Sequence, residues 1–285
     1  MKRSMRWVVS GVAVLGLAQS AVAADLDFLR GSEVFAPGPA VYSNWSGFYF
    51  GAQAGYANAN MDFTSATSPL IAQMLRNTAL LNGSNVATLP VLGRADVRGG
   101  NYGGFVGYNS QWENVVLGME ASYIRADLRA TSSGVTPGDD IFGNQYCFML
   151  QPGDGLNYCT RITGSATMHI TDYGELKGRA GYVMGRFLPY LTVGFVMGRA
   201  ETTRAADVTA LVHDPTGRRP DFVFENSITD AKTAYPIGYS VGGGMDVALT
   251  SNFFLRGEFE WLQFARVEGI TANITTGRVG AGVKF

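Results

Sequence analysis

The sequence is short of charge, lysine, cysteine, histidine and proline, and each shortage removes a class of answers. Charged residues make up 16% of the 285, against roughly a quarter in typical soluble domains. Acidic and basic residues nearly cancel, at a formal net charge of -1. With no basic run, nucleic acid is excluded as a partner on electrostatic grounds. Ten prolines with no G-X-Y period exclude collagen and low-complexity disorder. No P-loop, H-E-x-x-H or G-x-S-x-G motif occurs, so no nucleophile, base and orienter are marked as converging. What is abundant is glycine, 37 residues, together with aromatics at 12%. That combination suits a large β structure, in water or in a membrane.

The first residues speak to compartment. Lys2, Arg3 and Arg6 precede an apolar run from Trp7 to Leu17, and Ala21-Val22-Ala23 supplies a small-residue cleavage pattern. The run is too short to cross a bilayer, which takes about 20 apolar residues as a helix. Residues 1–23 are therefore expected to be an export signal, and 24–44, with Pro37, Gly38 and Pro39, a periplasmic linker. No later stretch approaches the length of an apolar transmembrane helix. The two cysteines, Cys147 and Cys159, enclose a Pro/Gly-rich loop. In an exported chain such a pair reads as a disulfide, and no nearby histidine completes a metal site.

From Trp45 onward, period-2 patterning recurs to Phe285. Phe48, Phe50, Ala52, Ala54 and Tyr56 alternate with Tyr49, Gly51, Gln53 and Gly55. Phe253, Leu255, Phe259 and Trp261 alternate with Arg256, Glu258 and Glu260. Such alternation belongs to strands with one apolar and one polar face. Eight strands are expected, near 46–57, 98–110, 114–128, 166–183, 187–201, 234–249, 253–264 and 273–285. Their connections alternate short and long. This is the topology of an all-β, eight-stranded antiparallel up-and-down transmembrane β-barrel over 45–285, short turns in the periplasm and long loops outside.

In such a barrel the polar face points inward, where eight strands leave room only for side chains. The inward charged set is Glu120, Glu175, Lys177, Arg179, Asp246, Arg256, Glu258, Glu260 and Arg278, with Gln53 beside it. Mixed signs allow internal pairing, and a preference of eighteen Arg over four Lys suits bidentate bonding to buried carboxylates.

Trp45-Ser46-Gly47-Phe48-Tyr49-Phe50-Gly51 resembles the first-strand signature of alphaproteobacterial outer-membrane barrel proteins, the outer membrane immunogenic proteins related to the OmpA-type barrel and often labelled porins. Glu175 to Tyr182 followed by Phe187-Leu188-Pro189-Tyr190, Gly238 to Met245 followed by Leu249 to Asn252, and the terminal Gly282-Val283-Lys284-Phe285 are similar to later strands of that family. The resemblance implies an outer-membrane protein surrounded by lipid and lipopolysaccharide, with Phe285 read by the barrel-assembly machinery. With no catalytic motif in the chain, no enzyme, cofactor or metal is expected. Two features depart from the resemblance: Phe105 stands where a polar inward residue is common, and the first two long loops are extended.

Ser68-Pro69, then Leu70, Ile71, Met74, Leu75 and Leu81, with Asn82-Gly83 after them, predicts a short helix in the first loop. Its apolar face is expected to cap the barrel mouth. The histidines are His169 in the fourth strand and His213 in the third loop. The favoured function is a structural barrel presenting surface loops, with at most a narrow pore. The alternatives are a loop-borne receptor or adhesin, with His213, Arg218 and Arg219 as haem contacts, and a small-solute porin.

Overall fold

The computed structural model describes residues 44–76, 78, 86–136, 146–148, 156–214 and 216–285. The expected export signal, and the linker apart from Asn44, lie outside the described residues. Ten strands are present among them: β1 (Gly47–Asp62), β2 (Arg94–Trp112), β3 (Val115–Val135), β4 (Tyr146–Phe148), β5 (Asn157–Tyr182), β6 (Phe187–His213), β7 (Phe222–Ala234), β8 (Ile237–Ala248), β9 (Phe253–Phe264) and β10 (Thr271–Lys284). Following antiparallel partners from β1 through β2, β3, β5, β6, β8, β9 and β10 leads back to β1. Eight strands thus close into a barrel, as the alternation predicts, and no edge is left in the ring.

The short connections match expectation. Glu113 adopts a positive φ of 52° in the β2–β3 turn and Gly185 a φ of 64° in the β5–β6 turn. At the opposite end the strands run on. β6 extends to His213 and pairs with β7 from Ala200–Ala234 to Val212–Phe222. The segment 202–233, expected as a long loop, is therefore mostly an ordered hairpin. β5 likewise begins at Asn157 rather than near 166. His169 accordingly sits in mid-strand, not near its start.

β7 and β8 are one strand interrupted at Tyr235-Pro236, since proline has no N–H for the ladder. The Pro236 carbonyl instead accepts from Gly198 N at 2.8 Å.

The interior reverses character along the barrel axis. Around the lower part, outward residues are apolar: Leu117, Met119, Leu191, Val193, Phe195 and Val279 are all exposed. Aromatic residues flank this belt, with Phe48, Tyr108, Trp112, Tyr182, Phe187 and Phe253 below and Tyr56, Tyr102, Tyr123, Tyr239 and Trp261 above. Paired aromatic girdles mark the two interfaces of a membrane barrel. From Val115 to Tyr123, at about 3.4 Å per residue and a tilt near 40°, the belt is about 21 Å tall, close to a bilayer's apolar thickness for such barrels.

Above the belt the same faces exchange roles. On β6 the outward series passes from Phe195 and Met197 to Arg199, Glu201 and Thr203, while Ala200, Ala206, Val208 and Ala210 turn inward and are buried. Their partners inside are Met61, Phe63, Ile124, Leu128, Ile162 and Ile170. The membrane section is polar within and apolar without. The upper section, a spire on the order of 40 Å along β6, is built as a soluble barrel. A wholly polar interior, implied by the sequence reading, holds only inside the belt.

The loop helix α1 spans Ser68–Met74. Its N-cap is Thr67 rather than Ser68, so Pro69 falls within the first turn, where a missing N–H costs nothing. The helix stops before Leu81. Leu70, Ile71, Met74 and Leu75 are buried in the spire core, so the helix does cap the mouth.

The spire's seam between β7 and the β9–β10 hairpin is tied by Arg204. This inward side chain bonds the carboxylates of Asp230 and Glu268 and donates to the Glu268 carbonyl at 3.0 Å. Its hydrogen bond holds the Asp230 carboxyl below the usual carboxylate range.

Candidate functional site

All nine charged residues assigned to the lumen meet in one buried network. Each comes from an inward position of its strand: Glu120 from β3, Glu175, Lys177 and Arg179 from β5, Asp246 from β8, Arg256, Glu258 and Glu260 from β9, and Arg278 from β10. The period-2 geometry of a strand lets Glu175, Lys177 and Arg179 stack on one face and so share a compartment. Five carboxylates face four cations.

The lower half is organised by guanidinium groups. Arg256 grips Asp246 through Nε at 2.9 Å and Nη2 at 3.2 Å, and its Nη1 donates to Glu120 Oε2 at 2.6 Å. Arg179 donates to Asp246 Oδ2 at 2.7 Å and to the Tyr49 hydroxyl at 3.2 Å. Tyr49 in turn donates to Glu120 at 2.9 Å. Two rings serve as shelves, Tyr190 lying 3.9 Å from the Arg179 guanidinium and Phe105 lying 4.1 Å from that of Arg256. Phe105 thus replaces a polar lumen residue with a cation–π contact.

The upper half surrounds one ammonium. Lys177 Nζ lies 2.9 Å from Glu258, 3.4 Å from Glu175, 3.5 Å from Glu120 and 3.7 Å from Glu260. Arg278 bonds Glu258 at 2.8 Å, contacts Glu260 and lies 3.6 Å from Glu175. The Ser122 hydroxyl donates to Glu175 at 3.0 Å and the Tyr190 hydroxyl to Glu258 at 3.1 Å. Glu120 joins the halves, with one oxygen toward Lys177 and the other bonded to Arg256.

Apolar layers seal this network at both ends. Below lie Trp45, Phe105, Val116, Leu188 and Phe254, and above lie Ile124, Tyr173, Leu262 and Phe264. The packing is tight enough that a β-carbon at Gly282 would stand 2.3 Å from the Phe254 ring. Gln53, from the same inward set, is buried but outside the ion pairs. Sequence reasoning missed the hydroxyls of Tyr49, Tyr190 and Ser122, although Tyr49 shares an inward face with Gly51 and Gln53.

The remaining candidates lie elsewhere. His213 ends β6, its Nδ1 2.9 Å from Asp221 across the hairpin turn. Asp214 closes that turn by accepting from Thr216 N at 2.8 Å and Arg219 N at 2.9 Å. Arg218 and Arg219 follow in the same β6–β7 connection, both exposed. Cys147 and Cys159 stand directly opposite each other in the β4–β5 register. Phe285 turns outward at the lower rim, stacked on Phe50 with ring centres 5.8 Å apart. Among the described residues no cluster of His, Cys, Asp and Glu suits a metal.

A closed eight-stranded ring with a lipid-facing belt and a charged, sealed lumen agrees with what sequence comparison finds. The chain matches the outer membrane protein beta-barrel domain family over residues 10–285. It belongs to that family. It is similar to the 25 kDa outer-membrane immunogenic protein of Brucella ovis, with 23% identity over 187 residues covering 66% of this chain and 77% of that one. The protein of the same name from Brucella canis is also 23% identical, over 195 residues and 78% of its length. Among solved structures, Neisserial surface protein A aligns with 84% of this chain and 98% of its own at 14% identity and a TM-score of 0.33. Likeness that loose adds nothing to the registers above. The chain is an outer-membrane β-barrel protein of the Gram-negative type.

Proposed function

We propose that this outer-membrane barrel is a non-conducting, non-enzymatic envelope component that holds a folded spire at the cell surface and presents hairpin tips there. The observation that carries this reading is the sealed lumen. Nine ion-paired side chains, nearly inaccessible to solvent, fill the belt section, and apolar layers close it above and below. A conducting path would have to part charges already engaged with one another, whereas aqueous channels belong to barrels of about 16–18 strands. The apolar-cored spire supports the presenting role, because an extension with its own core holds its tips without a partner.

We further take residues 1–23 as a cleaved export signal and Phe285 as the feature read by the barrel-assembly machinery. Directly opposed residues of an antiparallel pair have Cα atoms about 4.5–5.5 Å apart, within the span a disulfide bridges. The Cys147–Cys159 register therefore supports a disulfide clipping the second loop. Closing so short a loop contributes on the order of 3 kcal/mol to local order. Cys147→Ser is expected to speed proteolytic nicking between residues 137 and 156 while leaving the barrel's unfolding midpoint unchanged. Equal nicking rates in wild type and variant would remove the clip.

Planar-bilayer recording tests the sealed lumen. The purified full chain should insert and give no steps of nanosiemens size. Such steps, with the chain's heat-modifiable mobility intact, would overturn the closed-barrel reading in favour of a porin.

A further inference from the structure

Charge is not spread evenly around the upper rim of the lipid-facing belt. On β9, β10 and β1 the first outward polar residues above the rim are Gln263, Thr275 and Asn58, all uncharged. On β2, β3, β5 and β6 they are Arg98, Arg125, Asp172 and Arg199. Strand register sets Tyr102 opposite Arg125, Arg125 opposite Asp172, and Asp172 opposite Arg199. One row therefore crosses four strands with two guanidinium groups in it. Asp172 stands between them but makes no ion pair with either among the described residues, its Oδ2 accepting from the Thr171 hydroxyl at 2.8 Å, so the row keeps one surplus positive charge. Arg125 has no ion pair among the described residues, and the carboxylate near Arg199 is that of Glu201, 3.9 Å away.

The same side is concave. Where the β6–β8 ladder ends at Met197–Ile237 and Pro236 interrupts the strand, a groove of about 860 Å³ opens. Its walls are Tyr123, Leu176, Phe195, Met197, Ile237 and Tyr239, and its rim includes Asp172 and Arg199. A smaller hollow of about 300 Å³ beside it holds Tyr102 and Arg125. The groove is continuous with the belt, so an apolar chain must fill it. The arginines lie at headgroup height, on the loop side of the membrane.

We propose that this face is a docking site for the phosphorylated, acylated glycolipid of the outer leaflet. One acyl chain lies in the groove between β5, β6 and β8, and a phosphate sits on Arg125 and Arg199. Arginine suits this role because its planar fork binds phosphate oxygens in pairs and sheds water readily. The uncharged opposite side argues for a built site rather than a general basic collar. The proposal rests on the orientation of the belt but not on whether the lumen conducts, so bilayer recording and the lipid assay can fail separately.

The test uses the purified full chain in nanodiscs containing bisphosphorylated lipid A, dephosphorylated lipid A or phosphatidylglycerol, with bound lipid counted by native mass spectrometry. Arg125→Gln with Arg199→Gln is expected to lower lipid A retention about tenfold, the scale of losing paired charge-assisted bonds. Dephosphorylated lipid A should be retained no better by the wild type than lipid A is by that variant. Leu176→Trp, which fills the groove without touching charge, should also lower retention. Arg161→Gln, far up the outer face of β5, should not. Heat-modifiable mobility reports folding, and if the double variant does not fold, Arg199→Gln and Leu176→Trp decide alone. Wild-type retention in both of these, or equal retention of phosphatidylglycerol, overturns the proposal.

Discussion

Replacing Lys177 by methionine is expected to destabilise the barrel by about 3–5 kcal/mol, the scale on which one partner of a buried ion pair is lost. The side chain is fully buried, and four carboxylates lie within 3.7 Å of its ammonium. Methionine keeps the approximate volume and removes the charge. Five carboxylates would then face three cations, with Arg278 already serving Glu258 and Glu260. In a sealed compartment the surplus negative charge has neither water nor counterion to turn to. Urea titration of the protein folded in detergent, read by heat-modifiable mobility, measures the change. Adding Glu258→Gln to Lys177→Met should recover part of the loss, because it removes the carboxylate closest to the missing ammonium. An unshifted midpoint for Lys177→Met would mean that the network is solvated and the seals leak.

How legible the molecule is in its sequence follows from what each face must exclude. Inside the belt, one face meets lipid and the other meets charge, so the contrast between alternate residues is as large as side chains allow. Phe253 to Trp261 shows this directly, and the nine lumen residues could be assigned from it without coordinates. Above the belt the contrast is small. The inward positions of upper β6 are Ala200, Thr202, Arg204, Ala206 and Val208, and the outward ones are Glu201, Thr203, Ala205 and Asp207. Small inward residues fit because α1 and Phe63 already fill the centre, and small residues carry little periodic signal. That is why an ordered hairpin resembled a loop. The tyrosine hydroxyls of the network escaped notice for a related reason: Tyr49 and Tyr190 look apolar in a hydropathy pattern, yet each ends in a group that binds a lumen carboxylate. The arginine row at the rim was hidden because it belongs to no single strand, and register alone assembles it.

The reversal of faces along β6 makes a second large and directional prediction. Val193 and Thr203 lie on the same outward face of the same strand, and both are exposed. If the belt is bounded where Met197 gives way to Arg199, the two sites are in different solvents. Arginine at Val193 places a guanidinium near the bilayer midplane, which costs about 2–4 kcal/mol in membrane barrels even after snorkelling. Arginine at Thr203 places it in water with Glu201 as its neighbour on the same face, where surface changes usually stay within about 0.5 kcal/mol. The inward face responds in the opposite order. Ala206→Asp buries an unpaired carboxylate in the apolar spire core and is expected to disrupt the upper hairpins, whereas the belt interior already holds paired carboxylates at Asp246 of β8 and Glu258 of β9. Folding yield into lipid vesicles and urea midpoints for Val193→Arg and Thr203→Arg measure the contrast. Equal cost at the two sites would mean the membrane boundary does not lie between them, and the whole spire would have to be redrawn as membrane-embedded or the belt as solvated.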